Sequence, residues 1–473
     1  MGCWMAGRRY DRVLAAKHEQ SYPLRPATDT FATKAVPERG TEQRPIFWAY
    51  ALAPELRRPD ARICTFGKFS DRVESAQHWH TLRMSGEITF LGKIDFRNDQ
   101  RVFGIKTEDR FSHIYIIGKT GTGKSTLLEN MAAQDLANGR GFALIDPHGD
   151  LAEKVAARVT ASGRQDVIYL NPADPKQPYG YNPLRQVRPE FISLAASGLM
   201  EVLKKMWADS WGVRMEHILR NVLLALLEQP SVTLQDVLRL LSEQTYRKQI
   251  AAKVRNKTVR TFLEHEFARF TFGYRADGIA PIQNKIGAFL ADPLLNRVLT
   301  APEKDLSIRR IMDQGGVLLV NLSKGRLGED SSTLLGGLLV TTVGLAAFSR
   351  ANSPVEARRD FFVYVDEFQS FTTLALVNMF SELRKYRVGF TVAHQYMHQL
   401  EPEIRHAVLG NAGTLISFRI GAEDAPYVVH ELNRQFDELD LLQLPNYRVY
   451  IKLMIDGTPS KLFSAATLPL SAS

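Results

Sequence analysis

A glycine-rich run constrains the fold of this 473-residue chain more than any other feature. The run Gly118-Lys119-Thr120-Gly121-Thr122-Gly123-Lys124-Ser125-Thr126 follows a short apolar segment and precedes a stretch with helical spacing. The pattern G-x-x-x-x-G-K-[ST] between a strand and a helix is typical of a phosphate-binding loop, because its glycines let successive N–H groups turn inward around a phosphate. The alternative is a chance match to a short pattern, and the strand–loop–helix context argues against it.

The side chains of this loop predict ATP and Mg²⁺ as ligands. Lys124 supplies a point charge for the β- and γ-phosphates, and the hydroxyl of Ser125 is placed to ligate Mg²⁺. The loop positions predicted to surround the phosphates are Gly118, Thr120, Gly121, Thr122, Gly123, Lys124, Ser125 and Thr126.

Two later strand patterns predict the catalytic part of an ATPase site. The first ends in Asp366 and Glu367, which would hold the Mg²⁺ hydration shell and polarise the attacking water, respectively. A simple turn or a helix cap is the alternative. The second leads into His394 and Gln395. Gln395 is the predicted sensor of the γ-phosphate, whereas His394 is interpreted as structural.

An arginine is also expected, because phosphoryl transfer usually needs one to neutralise charge, and a neighbouring subunit can supply it. Arg384, Arg387 and Arg419 lie in suitable segments. Arg384 is favoured and Arg419 comes second. That none of them acts remains open, because most surface arginines are simply solvated.

Alternating strand and helix patterns from Ser112 onward predict an α/β fold with a parallel sheet and covering helices. The alternation stops after a proline-rich turn and gives way to an almost wholly helical region before strands return. We therefore expect a tail or small module of unknown role at residues 1–85, a first part of the α/β domain at 86–186, an all-α insertion at 187–302, and a second part of the α/β domain at 303–473.

Composition narrows the class of protein. Lys and Arg number 60 against 51 Asp and Glu, a net charge of +9, and 45% of residues are hydrophobic, which excludes an acidic disordered chain. The basic balance favours an anionic partner only where it is clustered. Two cysteines indicate a reducing compartment. The uncharged segment 331–349 is interpreted as a buried helix rather than a membrane span.

Two further groups of side chains allow alternative interpretations. The turn Asp146-Pro147-His148-Gly149-Asp150 holds three metal-capable side chains, although a cap for the following helix is favoured. Basic and aromatic side chains that could contact a DNA backbone are the second group, with an ordinary solvated face as the favoured alternative. Its members are Lys204, Lys205, Trp207, Trp211, Lys324 and Arg326.

These segments together resemble type IV coupling proteins, the TraD/TraG-like conjugation ATPases, which are related to the HerA and FtsK DNA pumps. The resemblance extends from about Gly104 to Phe463, and the 146–150 turn and the helical insertion are its more specific parts. It implies a RecA-like P-loop motor domain with an inserted all-α domain. It also implies a homo-hexameric ring that binds ATP between subunits and moves DNA toward a type IV secretion or conjugation apparatus.

Carried over to this chain, the resemblance implies Lys124 and Ser125 as nucleotide-loop residues, Asp366 and Glu367 as the metal and catalytic carboxylates, and Gln395 as the sensor. It implies Arg384, eleven residues before Gln395, as the finger arginine. A relaxase or a membrane channel component is the implied partner.

Typical coupling proteins carry N-terminal membrane helices, and no such pattern occurs here, so we expect a cytoplasmic protein. Two alternatives follow: it is peripheral at the inner membrane through a partner, or it never meets a membrane. Two alternatives remain open: a HerA/FtsK-type pump or helicase in DNA processing, and a nucleotide-switched adaptor that recruits protein cargo.

Overall fold

The computed structural model describes residues 87–95, 100–300, 303–432 and 436–470. The predicted N-terminal tail or module, residues 1–85, lies outside the described residues.

Strand formation follows from short apolar runs separated by turns and helices. In chain order the strands are β1 (Ile88–Ile94), β2 (Val102–Lys106), β3 (Ile114–Ile117), β4 (Gly141–Asp146), β5 (Val167–Leu170), β6 (Tyr179–Gly180), β7 (Lys304–Asp305), β8 (Val317–Asn321), β9 (Phe361–Val365), β10 (Val388–His394), β11 (Thr414–Ser417), β12 (Arg448–Lys452), β13 (Met454–Ile455), β14 (Thr458–Pro459) and β15 (Phe463–Thr467). Strands β3, β4, β8, β9 and β10 are buried along their whole length, as expected of the interior of a parallel sheet.

One sheet of eleven strands organises the described chain, in the order β2-β1-β15-β12-β11-β3-β10-β9-β4-β8-β5. The seven strands from β11 to β5 are mutually parallel, and the other four are antiparallel to their neighbours. The predicted α/β fold with a parallel sheet is therefore confirmed. Strand β15 pairs with both β1 and β12 and so joins the N-terminal strands, β1 and β2, to the main sheet.

Helices cover both faces of this sheet. They are α1 (Thr107–Arg110), α2 (Lys124–Ala137), α3 (Asp150–Ser162), α4 (Ile192–Met206), α5 (Val213–Leu227), α6 (Leu234–Ser242), α7 (Gln244–Lys253), α8 (Lys257–Thr261), α9 (Phe272–Ala291), α10 (Pro293–Thr300), α11 (Ile308–Gln314), α12 (Lys324–Leu327), α13 (Glu329–Phe348), α14 (Leu374–Leu383), α15 (Pro402–Asn411), α16 (Ala425–Glu431) and α17 (Glu438–Leu442).

Alternate residues of each strand point to two separate cores, which is the two-residue period of a β-strand. Phe362 and Tyr364 of β9 pack on the core that contains helices α2 and α3. Phe361, Val363 and Val365 of the same strand pack on the other core, which includes α13, α14 and the helical insertion. The insertion thus shares one continuous core with the motor rather than forming its own.

The helical insertion leaves and rejoins the motor at a short parallel pair of strands, β6 and β7, in which Tyr179 lies opposite Lys304. Every described element from residue 189 to residue 300 is helical. Helix α4 crosses α13 closely, because a side chain at Gly198 would lie 2.7 Å from Thr341 and one at Gly337 would lie 3.1 Å from Val202. The exact domain limits, 187 and 302, stay a prediction.

The uncharged segment 331–349 forms most of α13. Within the described part of the chain, the helical stretch Glu329–Asn352 is the one that is long and apolar enough to cross a membrane, with a mean hydropathy of 1.6. Its most apolar window is 78% buried inside the protein. It therefore packs as a core helix, in agreement with the interpretation favoured from the sequence.

Candidate active site

The glycine-rich loop connects β3 to α2 at the carboxyl end of the sheet, where ligands of α/β folds collect. Both neighbouring strands hold it, because Gly118 N–H donates to His394 O (3.3 Å) and Lys119 N–H donates to Arg419 O (2.8 Å). Gly123 has a φ of 119°, and a side chain there would meet the ring of Tyr447 at 2.8 Å. The predicted strand–loop–helix context is therefore present.

Lys124 lies inside this loop and is only 6% exposed. Its ammonium group donates to Gly118 O at 2.6 Å and to Lys119 O at 3.2 Å. Burial lowers the pKa of Lys124, and the nearby carboxylates of Asp366 and Glu367 oppose that shift. The loop thus holds a positive charge where the predicted phosphates would need it.

Ser125 and Asp366 supply adjacent oxygen atoms. The hydroxyl of Ser125 donates to Asp366 Oδ2 at 3.2 Å, and the carboxylate also accepts the N–H of Glu367 at 3.0 Å. Burial, together with the charges of Glu367 and Asp146, raises the pKa of Asp366 to about 6, although Lys124 opposes the rise. A hydroxyl beside a buried carboxylate is an oxygen donor set that suits Mg²⁺.

Glu367 has an unusual backbone and three polar side-chain neighbours. Its φ of 47° places it in the left-handed region, which is rare for a residue with a side chain. Gln369 Nε2 donates to its Oε2 at 2.6 Å, Gln395 Nε2 donates to its Oε1, and His148 Nε2 lies 3.8 Å from Oε1. Burial opposes ionisation, but these groups lower the pKa of Glu367 to about 2, so it is a carboxylate at neutral pH.

Gln395 bridges the loop and the carboxylate. It follows β10, which lies between β3 and β9, and its Oε1 accepts the hydroxyl of Thr120 at 2.8 Å while its amide donates to Glu367. His394 is fully buried beside the hydroxyl of Tyr115 at 3.3 Å. The structure therefore brings Lys124, Ser125, Asp366, Glu367 and Gln395 to one place, and their chemical roles stay predictions.

The candidate arginines lie in different places. Arg384 precedes β10 and is exposed, so it lies at the amino end of a seven-residue strand whose other end touches the glycine-rich loop. At about 3.3 Å per residue this separation is roughly 20 Å. Arg387 pairs with Asp360 and Glu108, also away from the loop. Arg419 lies beside the loop, but its guanidinium donates to Leu444 O at 3.1 Å and Asn446 Oδ1 at 2.8 Å.

The 146–150 turn forms a helix cap, as favoured. The carboxylate of Asp146 accepts the N–H groups of His148 (2.9 Å), Leu151 (2.9 Å) and Ala152 (3.0 Å) at the start of α3. No cluster of three potential metal ligands occurs among the described residues. Sequence analysis missed that the turn also brings His148 toward Glu367. The proximity of the two residues could have been predicted, because β4 and β9 are parallel neighbours that end at the same edge of the sheet.

Two candidate DNA contacts interact with other groups of the protein: Trp207 is buried, and Lys205, although exposed, is hydrogen-bonded to the main chain. Trp207 is 3% exposed and stacks on Phe289 with ring centroids 6.1 Å apart. The ammonium of Lys205 donates to Gln369 O at 2.6 Å and to Thr372 O at 2.9 Å. Both interpretations offered for Trp207, a solvated face or a DNA contact, are therefore wrong. Lys204 and Arg326 are exposed.

The sheet order, the loop that holds Lys124 and the strand-end carboxylates define a P-loop nucleoside triphosphatase fold of the RecA-like type. Residues 102–424 match the family model described as the type IV secretion-system coupling protein DNA-binding domain. This match covers more than half of the chain, so the chain belongs to that family.

Individual relatives are distant. The type 4 coupling protein DotL of Legionella pneumophila is 28% identical over 127 residues, which are 26% of this chain and 16% of DotL. The chain therefore matches only about a sixth of the length of that relative.

Solved structures give the same fold. The bacterial conjugative coupling protein TrwBdeltaN70 superimposes with a TM-score of 0.56 at 19% identity, over 78% of this chain and 87% of TrwBdeltaN70. The plasmid coupling protein TrwB in complex with ADP and Mg²⁺ gives 0.55 at 16% identity, over 87% and 96%. VirB4 of Thermoanaerobacter pseudethanolicus gives 0.54 at 15%, over 82% and 97%. The predicted RecA-like motor with an all-α insertion is confirmed.

Proposed function

We propose that this chain is a coupling ATPase that binds ATP with Mg²⁺, hydrolyses it, and uses the cycle to move DNA toward a type IV secretion or conjugation apparatus. The observation that carries the proposal is the contact chain from Thr120 through Gln395 to Glu367, beside Lys124. It connects the loop that would hold the phosphates to the carboxylate that would activate water.

The chemistry follows from the positions of these groups. The backbone N–H groups of the loop and the ammonium of Lys124 would bind the phosphates, and Ser125 and Asp366 would hold Mg²⁺. The metal supplies Lewis-acid neutralisation of the phosphate charge. Glu367, ionised at neutral pH, would orient the attacking water and accept its proton as the water oxygen bonds to the γ-phosphorus. The bond from that phosphorus to the bridging oxygen would break at the same time, with ADP as the leaving group.

We propose that Gln395 reports this step. Its amide touches Glu367 while its oxygen accepts from Thr120, so a change in the γ-phosphate would shift a side chain joined to both. A nucleotide-switched adaptor would not need a water-activating carboxylate, which favours the ATPase over that alternative.

The position of Arg384 supports assembly into a ring. Because Arg384 lies roughly 20 Å from the loop of its own chain, it can reach an ATP only in a neighbouring subunit. We propose a homo-hexamer in which each site is completed by the next subunit.

The nature of the cargo follows from family membership. The family model is described as a DNA-binding domain, and we propose sequence-independent contact between Lys or Arg side chains and a phosphate backbone. TrwB is described as a conjugative coupling protein and DotL as a type 4 coupling protein. We therefore propose a relaxase or a membrane channel component as partner, and a location at the cytoplasmic face of the inner membrane through that partner.

The deciding experiment measures ATP hydrolysis by the purified chain with and without single- and double-stranded DNA. We expect stimulation by DNA and loss of hydrolysis in Lys124→Ala. Equal rates with and without either DNA would contradict the proposed motor, and a wild-type chain that hydrolyses no ATP would contradict the proposed ATPase.

A further inference from the structure

Two charged side chains of the helical insertion form hydrogen bonds to a segment of the motor and to the helix that follows it. The segment, residues 366–373, leads from β9 to α14 and is here named the connector. Lys205 of α4 donates to the connector carbonyls of Gln369 (2.6 Å) and Thr372 (2.9 Å). Glu201, one turn earlier on α4, accepts the N–H of Ala375 at 2.6 Å. We name Lys205 and Glu201 the α4 clamp.

One end of the connector carries the proposed water-activating carboxylate. Gln369, whose carbonyl accepts from Lys205, uses its side-chain amide to donate to Glu367 Oε2 at 2.6 Å. A single residue therefore lies between the insertion and the catalytic carboxylate. Since Glu367 sits in a strained left-handed conformation, its placement depends on such surrounding contacts.

The other end of the connector leads to the proposed finger. Helix α14, whose second residue Ala375 is bound by Glu201, ends at Leu383, directly before Arg384. Because a helix moves largely as a rigid rod, a shift at its first turn is transmitted to its last. The α4 clamp thus contacts the elements that bear both groups expected to act on the γ-phosphate.

A purely structural role would be the simpler explanation of these contacts. However, α14 already has an N-cap, because Thr373 Oγ1 accepts the N–H of Leu376. The connector also has its own turn hydrogen bonds, in which Ser370 N–H donates to Glu367 O at 2.9 Å and Phe371 N–H to Phe368 O at 3.0 Å. Helix α4 is further anchored by its close apolar crossing with α13. The contacts of Lys205 and Glu201 therefore position the connector and α14 rather than stabilise the fold.

We propose that Lys205 and Glu201 are positioning residues through which the helical insertion sets the rate of ATP hydrolysis. This inference rests on the proposed ATPase function. A movement of α4, caused by whatever binds the insertion, would pull on the connector and displace Glu367 and the Arg384-bearing helix together.

The test compares Lys205→Met and Glu201→Met with the control Lys248→Met, which removes an exposed lysine from helix α7 of the same insertion. Steady-state ATP hydrolysis, ATP affinity and thermal unfolding are measured for each full-length variant. We expect kcat to fall about ten- to a hundredfold in both clamp variants, the loss typical of a small misplacement of catalytic groups. In both clamp variants we expect KM for ATP, ATP affinity and unfolding temperature to stay at wild-type values, and we expect Lys248→Met to behave as wild type.

Lys205→Arg supplies the conservative rescue, since a guanidinium also donates to two carbonyls. Recovery of kcat in this variant supports positioning. Wild-type kcat in both clamp variants would overturn the inference while leaving the proposed ATPase intact. Loss of kcat together with a large fall in unfolding temperature and no rescue by arginine would also overturn it, in favour of a structural role. A wild-type chain without ATP hydrolysis would instead remove the proposed function on which the inference depends.

Discussion

The hydroxyl of Ser125 lies 3.2 Å from Oδ2 of Asp366, although 241 residues separate them in the chain. The sheet explains this meeting. Ser125 is the second residue of the helix after β3, Asp366 directly follows β9, and only β10 lies between those two parallel strands. Residues that follow parallel strands of one sheet lie at the same edge, so this strand order brings Ser125 and Asp366 close together.

Ser125→Ala should weaken Mg²⁺ binding at the proposed site without disturbing the loop. We expect the Mg²⁺ concentration for half-maximal ATP hydrolysis to rise at least about tenfold, because losing a ligand is at least as harmful as losing a supporting contact. The measurement is ATP hydrolysis against Mg²⁺ concentration. Ser125→Thr keeps the hydroxyl and serves as the control. An unchanged Mg²⁺ dependence in Ser125→Ala would remove Ser125 from the metal site.

Glu367→Gln should separate binding from hydrolysis. The amide cannot accept the proton of the attacking water, so we expect kcat to fall about 10²- to 10⁴-fold while ATP affinity is retained. Single-turnover hydrolysis and equilibrium ATP binding measure the two effects. The control is Asp150→Asn, which neutralises an exposed carboxylate at the start of α3, near the same sheet edge. Hydrolysis at the wild-type rate in Glu367→Gln would show that another group activates water.

Arg384→Ala should abolish ATP hydrolysis, and mixing this variant with a second inactive variant should restore part of the activity. Because Arg384 would act on the site of a neighbouring subunit, a mixture of Arg384→Ala and Glu367→Gln contains some interfaces with both an intact Glu367 and an intact Arg384. We expect the mixture to hydrolyse ATP faster than either variant alone. Lys385→Ala, the exposed neighbour, is the control. Absence of any recovery in mixed assemblies would argue that Arg384 does not act between subunits.

Much of the site could be predicted from sequence, because its residues occupy positions with local signatures. The glycine spacing identified the loop around Lys124, and the end of a buried strand identified Asp366 and Glu367. These patterns depend on a few consecutive residues and on the rule that ligands collect where parallel strands end.

The contacts that tune the site could not be predicted in this way. Gln369 and Lys205 act through hydrogen bonds across 164 residues, which depend on how α4 packs against the connector. Trp207 was misjudged for a related reason: a tryptophan beside two lysines gives no local sign that its ring faces the helical core. Packing between distant segments determines which of these side chains are buried, and no local pattern in a single sequence predicts that packing.

The buried pair Arg110–Asp135 offers a test of the motor core. Arg110 NH1 and NH2 donate to the two carboxylate oxygens at 2.7 and 2.8 Å, and both side chains are at most 1% exposed. Arg110→Met would leave Asp135 as a buried charge with fewer partners, which typically lowers the free energy of unfolding by about 3–5 kcal/mol.

Denaturant unfolding of Arg110→Met measures this loss. The control is Arg214→Met, which removes an exposed ion pair with Asp277 and should cost less than about 1 kcal/mol. In the double variant Arg110→Met/Asp135→Asn the loss should be smaller than the sum of the single losses, because the unpaired charge is gone. Strict additivity would contradict a direct interaction between the two side chains.

His113 should make the fold sensitive to mild acid. The imidazole is 3% exposed; its Nδ1 accepts the N–H of Phe390 at 3.0 Å, so its Nε2 carries the proton and donates to Phe380 O at 2.8 Å. Burial lowers the pKa of His113 from 6.5 to about 4, although the hydrogen bond to Phe380 opposes the shift. The folded state therefore keeps His113 neutral at a pH where the unfolded chain binds a proton.

The direction in which the free energy of unfolding changes with pH follows from the linkage between folding and protonation. Because the folded pKa is depressed, the unfolded chain binds more protons between pH 6.5 and about 4, and stability falls as pH falls through that window. From pH 7 to pH 5 this single group should lower the free energy of unfolding by about 2 kcal/mol. His394, whose pKa burial lowers to about 3, should add a similar loss. Urea unfolding at both pH values measures the sum.

His113→Gln should reduce this pH dependence, since glutamine does not titrate, even though the variant is less stable at both pH values. His430→Gln, at an exposed position, should retain the full wild-type loss. If His113→Gln and wild type lost the same free energy between pH 7 and pH 5, protonation of His113 would not be what destabilises the fold in acid.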